Sequence, residues 1–196
     1  MDMRKRIGFL LLVVSFSITG CAHKINLTPP LNTLDLKEII PIEKNVGYYI
    51  SPEDMTKEVV TPGGGGDKVK YTPYADLEPA LKQALDNVFA DVYQVQSLDD
   101  KSFLAENKIT YVFIPNYTTD SSSSSVFTWP PTDFTITMLC KTQDDAGNVV
   151  WESTVEGNGK AEFAEFKHDM SLSARRAAKA VFVEFEKTLQ QTEALK

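Results

Sequence analysis

Groups that carry out covalent or redox chemistry are scarce in this chain. Its 196 residues include only two cysteines and two histidines. They sit in no His-Glu-x-x-His, Cys-x-x-Cys or Gly-x-Ser-x-Gly pattern, so the common metal, redox and nucleophile constellations are missing and no metal or cofactor is expected. Basic residues number 20 against 27 acidic ones, a net charge of −7. No lysine or arginine run is interleaved with aromatics, which argues against a nucleic-acid partner. The four glycines Gly63–Gly66 are followed by Asp67 and Lys68, whereas a phosphate loop ends in Gly-Lys-Ser/Thr, so a nucleotide is not expected either. The longest apolar run, Ile7 to Ile18, covers about 18 Å as a helix against the ~30 Å of a bilayer core, too short to span it.

That short run has a basic start, Arg4-Lys5-Arg6, and ends in Ile18-Thr19-Gly20-Cys21. The arrangement is that of a secretory signal followed by a small-residue cleavage site. The four residues resemble the lipobox of bacterial lipoproteins. Gly20 and Cys21 match it, while Ile18 and Thr19 depart mildly from its usual leucine and small residue. The resemblance implies cleavage between Gly20 and Cys21, with Cys21 carrying a thioether-linked diacylglycerol and an amide-linked fatty acid such as palmitate. Two or more acyl chains hold a protein on a membrane where one does not. Asp after the cysteine tends to retain such proteins in the inner membrane of Gram-negative cells. Here the residue is Ala22, so the expected location is the periplasmic face of the outer membrane.

Residues 1–20 are thus read as a signal peptide, 21–37 as a flexible tether containing Pro29-Pro30, and 38–191 as a single domain. Removing the signal, with Arg4, Lys5, Arg6 and Asp2, leaves 17 basic and 26 acidic residues, a charge of −9. With Cys21 lipidated only Cys140 remains, so the fold has to stand on its core without a disulfide.

The periodicities are mixed. Val46 to Ile50 reads as a strand, and Glu53 to Tyr71 as a long loop or flexible hairpin. Leu77, Leu81, Leu85, Val88, Phe89 and Val92 form one stripe of a helix expected over 76–93. Ile109 to Asn116 is β-branched and aromatic. Phe134, Ile136, Met138 and Cys140 alternate with mostly polar residues, as do Val149, Trp151, Ser153 and Val155 beyond the turn Asp144-Asp145-Ala146-Gly147-Asn148, predicting a hairpin with Cys140 facing the core. Another short strand is expected over 160–166 after Gly157-Asn158-Gly159. A last helix starts near Asp169 or Ser171, with Leu172, Ala178, Val181, Phe182, Phe185 and Leu189 inward. The class is α+β: an antiparallel or mixed sheet of about four to five strands with two main helices packed on one face.

That element order behind a lipobox resembles the small periplasmic lipoprotein domains of the YajG, LpoB and PelC kind, which share a fold with the amino-terminal domain of TolB. The resemblance covers roughly residues 40 to 190 in architecture. It implies non-catalytic roles: activating a cell-wall synthase, forming a ring beneath an export pore, or docking partners at the outer membrane. A protein partner in the envelope, and a homo-oligomer, are therefore expected partners beside the lipid-anchored membrane contact.

One loop stands out. Ser121 to Ser125 abuts Val126-Phe127-Thr128-Trp129-Pro130-Pro131, placing large apolar groups in a polar connection. Phe127 and Trp129 are candidate partner contacts; the alternative is that they cap the open end of the core. The function expected is a non-enzymatic, lipid-anchored accessory or scaffold in envelope assembly or export. Alternatives are a carrier or sensor of a hydrophobic or glycan ligand, bound between the sheet and Gly63–Gly66, and a cell-wall or polysaccharide hydrolase. The last needs paired carboxylates, whereas Asp99-Asp100 and Asp144-Asp145 lie in turn-like contexts.

Overall fold

The computed structural model describes residues 22–34, 41–64, 66–123 and 130–196. Its longest strands arise where alternation is strictest: β6 (Ile109–Ser122), β7 (Asp133–Asp144) and β8 (Val149–Lys160). They pair antiparallel, from Tyr111 opposite Asp144 to Ser122 opposite Asp133, and from Gln143 opposite Val149 to Asp133 opposite Lys160. The β7–β8 turn is closed by Asp144, whose carboxylate accepts from the Asn148 amide at 2.7 Å, and by Gly147 at φ 89°. Phe134, Ile136, Met138 and Cys140 are buried as their alternation predicts.

β2 (Ile42–Tyr48) lies between β6 and β5 (Phe89–Gln94), parallel to both. The order β5-β2-β6-β7-β8 makes a mixed sheet, with β8 at one edge. Two long helices, α2 (Pro73–Asp86) and α5 (Leu172–Gln191), bury their apolar stripes on one face. The α+β class with two main helices is therefore as expected. On the opposite face, the short helix α3 (Lys101–Glu106) covers a smaller cluster of Val95, Leu104, Ile109 and Val112. Val112 and its neighbour Phe113 belong to opposite clusters, as strand alternation requires.

Three expectations are corrected. The helix expected over 76–93 is α2 followed by β5. Asn87 closes the helix by donating to Gln83 O and Leu85 O. Beyond it Phe89 pairs with Ile42 and Val92 with Val46. The apolar residues that continue the helical stripe are also good strand formers, and pairing with β2 decides between the two.

The strand expected over 160–166 is absent. β8 runs through the glycines to Lys160, and the chain then forms α4 (Phe163–Phe166), a single turn started by a capping box between Glu162 and Glu165. Gly157 and Gly159 mark no turn. They let α5 lie against the strand: a Cβ on Gly157 would stand 2.3 Å from Ala177 O, and one on Gly159 1.9 Å from Ser173 O.

The flexible tether is corrected too, as far as Leu34. Ala22–Lys24 is a strand, β1, parallel to β4 (Lys68–Tyr71), which pairs antiparallel with β3 (Val59–Pro62) in a second sheet of order β1-β4-β3. Ile25, Leu27 and Leu34 are buried. Burying three such side chains contributes about 1.5–3 kcal/mol each, enough to offset the ordering of a segment that composition alone reads as a linker. The stretch read as a loop or hairpin from Glu53 holds a helical turn, α1 (Pro52–Thr56), and the β3–β4 hairpin. The glycine run connects that hairpin, where Gly63 N donates to Asp67 O at 2.9 Å. Among the described residues no helix is long and apolar enough to cross a membrane.

Candidate functional site

The strand pairing brings several chain segments to one end of the molecule. β6 finishes there at Ser122, β7 begins at Asp133, and β8 finishes at Lys160. The end of β3 meets them: Ser121 Oγ lies 2.6 Å from both Thr61 Oγ1 and Pro62 O. Pro62 pairs with Lys68, and Lys68 pairs with Ala22. The residue that follows Cys21 and the roots of the Ser-rich loop therefore share this end.

Cys21 and Gly20, and the candidate contacts Phe127 and Trp129, lie outside the described residues. The flanks of the loop are well anchored. Pro130 and Pro131 are buried, and Pro131 O accepts from Ser173 Oγ at 2.7 Å at the start of α5. On the other flank, Tyr71 OH lies 2.8 Å from Thr119 Oγ1, and burial pushes the phenol pKa up.

The N-terminal segment is fastened to the start of α2. Asp76, on the first turn of α2, accepts from Asn26 Nδ2 and Leu27 N, both at 3.4 Å, while its carbonyl accepts from Thr28 Oγ1 at 2.7 Å. The Asn26 amide donates in turn to Ser171 Oγ at 3.0 Å. Burial raises the Asp76 pKa, and the Leu27 amide and Thr72 oppose that rise. The available signal was a carboxylate at a helix start, but its partner lies 49 residues away. Replacing Asp76 with Ala is expected to cost about 1–3 kcal/mol by stranding those donors. It should also speed amide exchange in 22–28 well beyond the global change. Since the folded pKa exceeds the unfolded one, the carboxylate's burial cost is absent below the unfolded value and is fully felt above the folded one. The deficit of the alanine variant should therefore shrink as pH rises from the carboxylate range to neutrality, which urea unfolding at several pH values would check.

Asp100, Asp144 and Cys140, weighed for chemistry, have structural roles here. Asp100 caps α3, accepting from Ser102 Oγ at 2.7 Å and Phe103 N at 3.0 Å, which lowers its pKa. Asn148 does the same to Asp144. Asp99 and Asp145 each adjoin one of these turns. Cys140 is fully buried, and burial pushes its thiol pKa far above the usual range, so it carries no thiolate at neutral pH. His168 is exposed, and His23 Nε2 lies 3.4 Å from Asp67 on the small sheet. Among the described residues no three histidine, cysteine or acidic side chains are placed to hold a metal ion.

A cleft of about 620 Å³ opens at the other end, between α3, the start of β6 and the β7–β8 turn. Lys101, Lys108, Tyr111, Asp144 and Val150 line it, and Lys101 Nζ donates across it to Asp145 O at 2.6 Å. The ligand space expected beside the glycine run thus has a rival far from it.

No protein-family model matches the chain, and no curated protein matches it. Solved structures do. A Xanthomonas campestris protein assigned to the family DUF330 superposes with a TM-score of 0.51 at 12% identity, over 90% of this chain and 96% of that one. PelC of Paraburkholderia phytofirmans, crystallised as a dodecamer, superposes with a TM-score of 0.50 at 13% identity, over 80% and 94%. At such identities the likeness is one of fold: this chain has an architecture similar to DUF330 proteins and PelC.

Proposed function

We propose that this chain is a non-enzymatic lipoprotein of the bacterial envelope, held by acyl chains on Cys21 at the periplasmic face of the outer membrane, where it serves as a scaffold or accessory for a protein assembly. The observation that carries this reading is the gathering of the residue after Cys21 and both roots of the Ser-rich loop at one end of the fold. At the opposite end, the Asp100 and Asp144 carboxylates are taken up by a helix cap and a turn. The fold shared with PelC supports a ring or other homo-oligomer, and light scattering of the acylated protein in detergent tests it; a monomer at micromolar concentration would remove the ring. Affinity purification of the acylated protein from envelopes should recover a stoichiometric envelope partner, and recovery of the bait alone would count against the scaffold role.

In this reading Phe127 and Trp129 supply the contact. Replacing both with Ala should abolish partner capture and leave the melting temperature within about 2 °C. A loss of ~3 kcal/mol or more, the scale of removing core aromatics, would assign them to the core instead. The cleft lined by Lys101, Lys108 and Tyr111 favours one second reading, a carrier or sensor of a polar ligand such as a glycan. Titration with envelope glycans, wild type against Tyr111→Ala, would reveal it.

A further inference from the structure

The lipobox reading has a mechanical corollary once β1 is taken into account. A lipid-bearing Cys21 stands one peptide unit, about 3.8 Å, from Ala22, which is already paired with Lys68. Three residues further on Ile25 is buried, and Leu27 after it. The chain outside the fold is thus too short to let the domain swing away from its acyl chains.

Two residues past β1 the chain meets the segment joining β8 to α5, where Asn26 N donates to Ser171 Oγ at 3.0 Å. Phe163, on α4, leaves 65% of its surface exposed, and Met170 leaves 39%. Phe163 touches the buried Phe166 edge-on, with ring centroids 5.5 Å apart, yet most of its own surface and much of Met170 stay in water. The same stretch departs from the rest of the chain in charge. Residues 160–179 carry five basic side chains, Lys160, Lys167, Arg175, Arg176 and Lys179, against three acidic ones, Glu162, Glu165 and Asp169, in a mature chain of −9. Three of the five cations are held in ion pairs, Arg176 with Glu165 at 2.8 Å, Arg175 with Asp169 at 3.3 Å and Lys160 with Asp133 at 3.5 Å. Lysines beside exposed apolar side chains suit a headgroup layer containing anionic lipid, to which each nearby cation adds attraction.

Building on the lipoprotein reading, we propose that the α4 face, with Phe163 at its centre and Met170, Lys160 and Lys167 around it, rests on the lipid headgroups of the membrane that holds Cys21. The domain is then clamped in one orientation by β1 and does not hang from a tether. The membrane turns the cleft bounded by α3 and the β7–β8 turn toward the aqueous side, where partners arrive.

Spin labelling tests this on the acylated, full-length mature protein, because Cys140 is buried and a lipidated Cys21 has no free thiol. Phe163→Cys carries a nitroxide at the proposed contact, and Val149→Cys, 53% exposed in the wild type, carries one at the far end. Both are reconstituted in vesicles of phosphatidylethanolamine and phosphatidylglycerol. The label at 163 is expected to lose at least threefold in collision with aqueous nickel chelate and to gain in collision with oxygen, whereas the label at 149 stays as accessible as in solution. Equal aqueous accessibility at both sites, in protein that floats with the vesicles, overturns the docked orientation and leaves the anchor intact. Failure to float, with no acyl mass on the amino-terminal peptide, overturns the anchor reading itself. Protection at 163 that persists in unacylated protein without vesicles assigns the face to a second copy and also overturns the proposal. A glycine-serine linker of about 20 residues inserted between Cys21 and Ala22 should restore nickel access at 163 without releasing the protein from vesicles.

Discussion

Replacing Gly159 with alanine should cost more stability than any other single methyl added to this protein. The new carbon would sit 1.9 Å from Ser173 O and 2.4 Å from Ala177 N, both backbone atoms of a 20-residue helix, so no side-chain rotation relieves the clash. Either α5 lifts off β8 or β8 bends. Overpacking usually costs about 1–3 kcal/mol where side chains can adjust, and a backbone clash should fall at or above the top of that range. For a chain of this size about 3 kcal/mol corresponds to a fall of roughly 6–12 °C in melting temperature. Gly157→Ala, whose carbon would meet Ala177 O at 2.3 Å and Val181 N at 2.4 Å, should behave alike. The double variant should lose most of a total stability of ~5–15 kcal/mol. Gly147→Ala provides the contrast: nothing lies within 4 Å of the added carbon, and only the φ of +89° is strained, at a cost of order 1 kcal/mol. A fall of under 2 °C for Gly159→Ala would show that α5 does not lie so close to β8.

Replacing Cys21 with Ser should have the largest effect outside the folded unit. A serine accepts no thioether, so lipid labelling should vanish and the uncleaved precursor, still carrying Ile7 to Ile18, should accumulate. Each buried methylene contributes about 0.8 kcal/mol to membrane binding, and the loss of two or more acyl chains removes far more than any surface contact restores. Expressed from Ala22 onward behind a cleavable signal, the domain should be soluble and keep the wild-type stability to within about 1 kcal/mol, because the buried residues among those described all follow Ala22. Normal processing and membrane retention in Cys21→Ser would overturn the lipid assignment.

Where one face of an element is buried over many residues, the amino-acid pattern revealed it. The β7–β8 hairpin, its turn and the core orientation of Cys140 follow from strict alternation, and α5 from its apolar stripe. What escaped has identifiable causes. Val88 to Val92 satisfies a helical and a strand pattern equally, and only the β2 edge, more than 40 residues earlier, decides. Gly157 and Gly159 signal a turn locally, while their actual demand comes from α5. Ile25 and Leu27 look isolated among polar residues until β4 and Asp76 supply pairing and hydrogen bonds from 40 to 50 residues away. The candidate site was legible as two separate motifs, a lipobox and an aromatic loop. That Ala22 and the residues flanking the loop meet at one end depended on strand register, which the motifs do not encode.

The outer edge of β8 bears on crowding. Among the described residues its twelve-residue length pairs on one side alone, and long open edges invite copies to zip together. If Cys21 carries the proposed anchor, copies diffuse in two dimensions and meet often, which raises the hazard above that in solution. Glu152, Glu156 and Asn158 face outward and are exposed. Antiparallel self-pairing centred on Thr154 would set Glu152 against Glu156, and pairing centred on Glu156 would set that glutamate against its own copy. Like charges directly opposite destabilise a pair of strands. The edge therefore discourages fibre growth between copies of the chain and leaves assembly to other surfaces of the molecule.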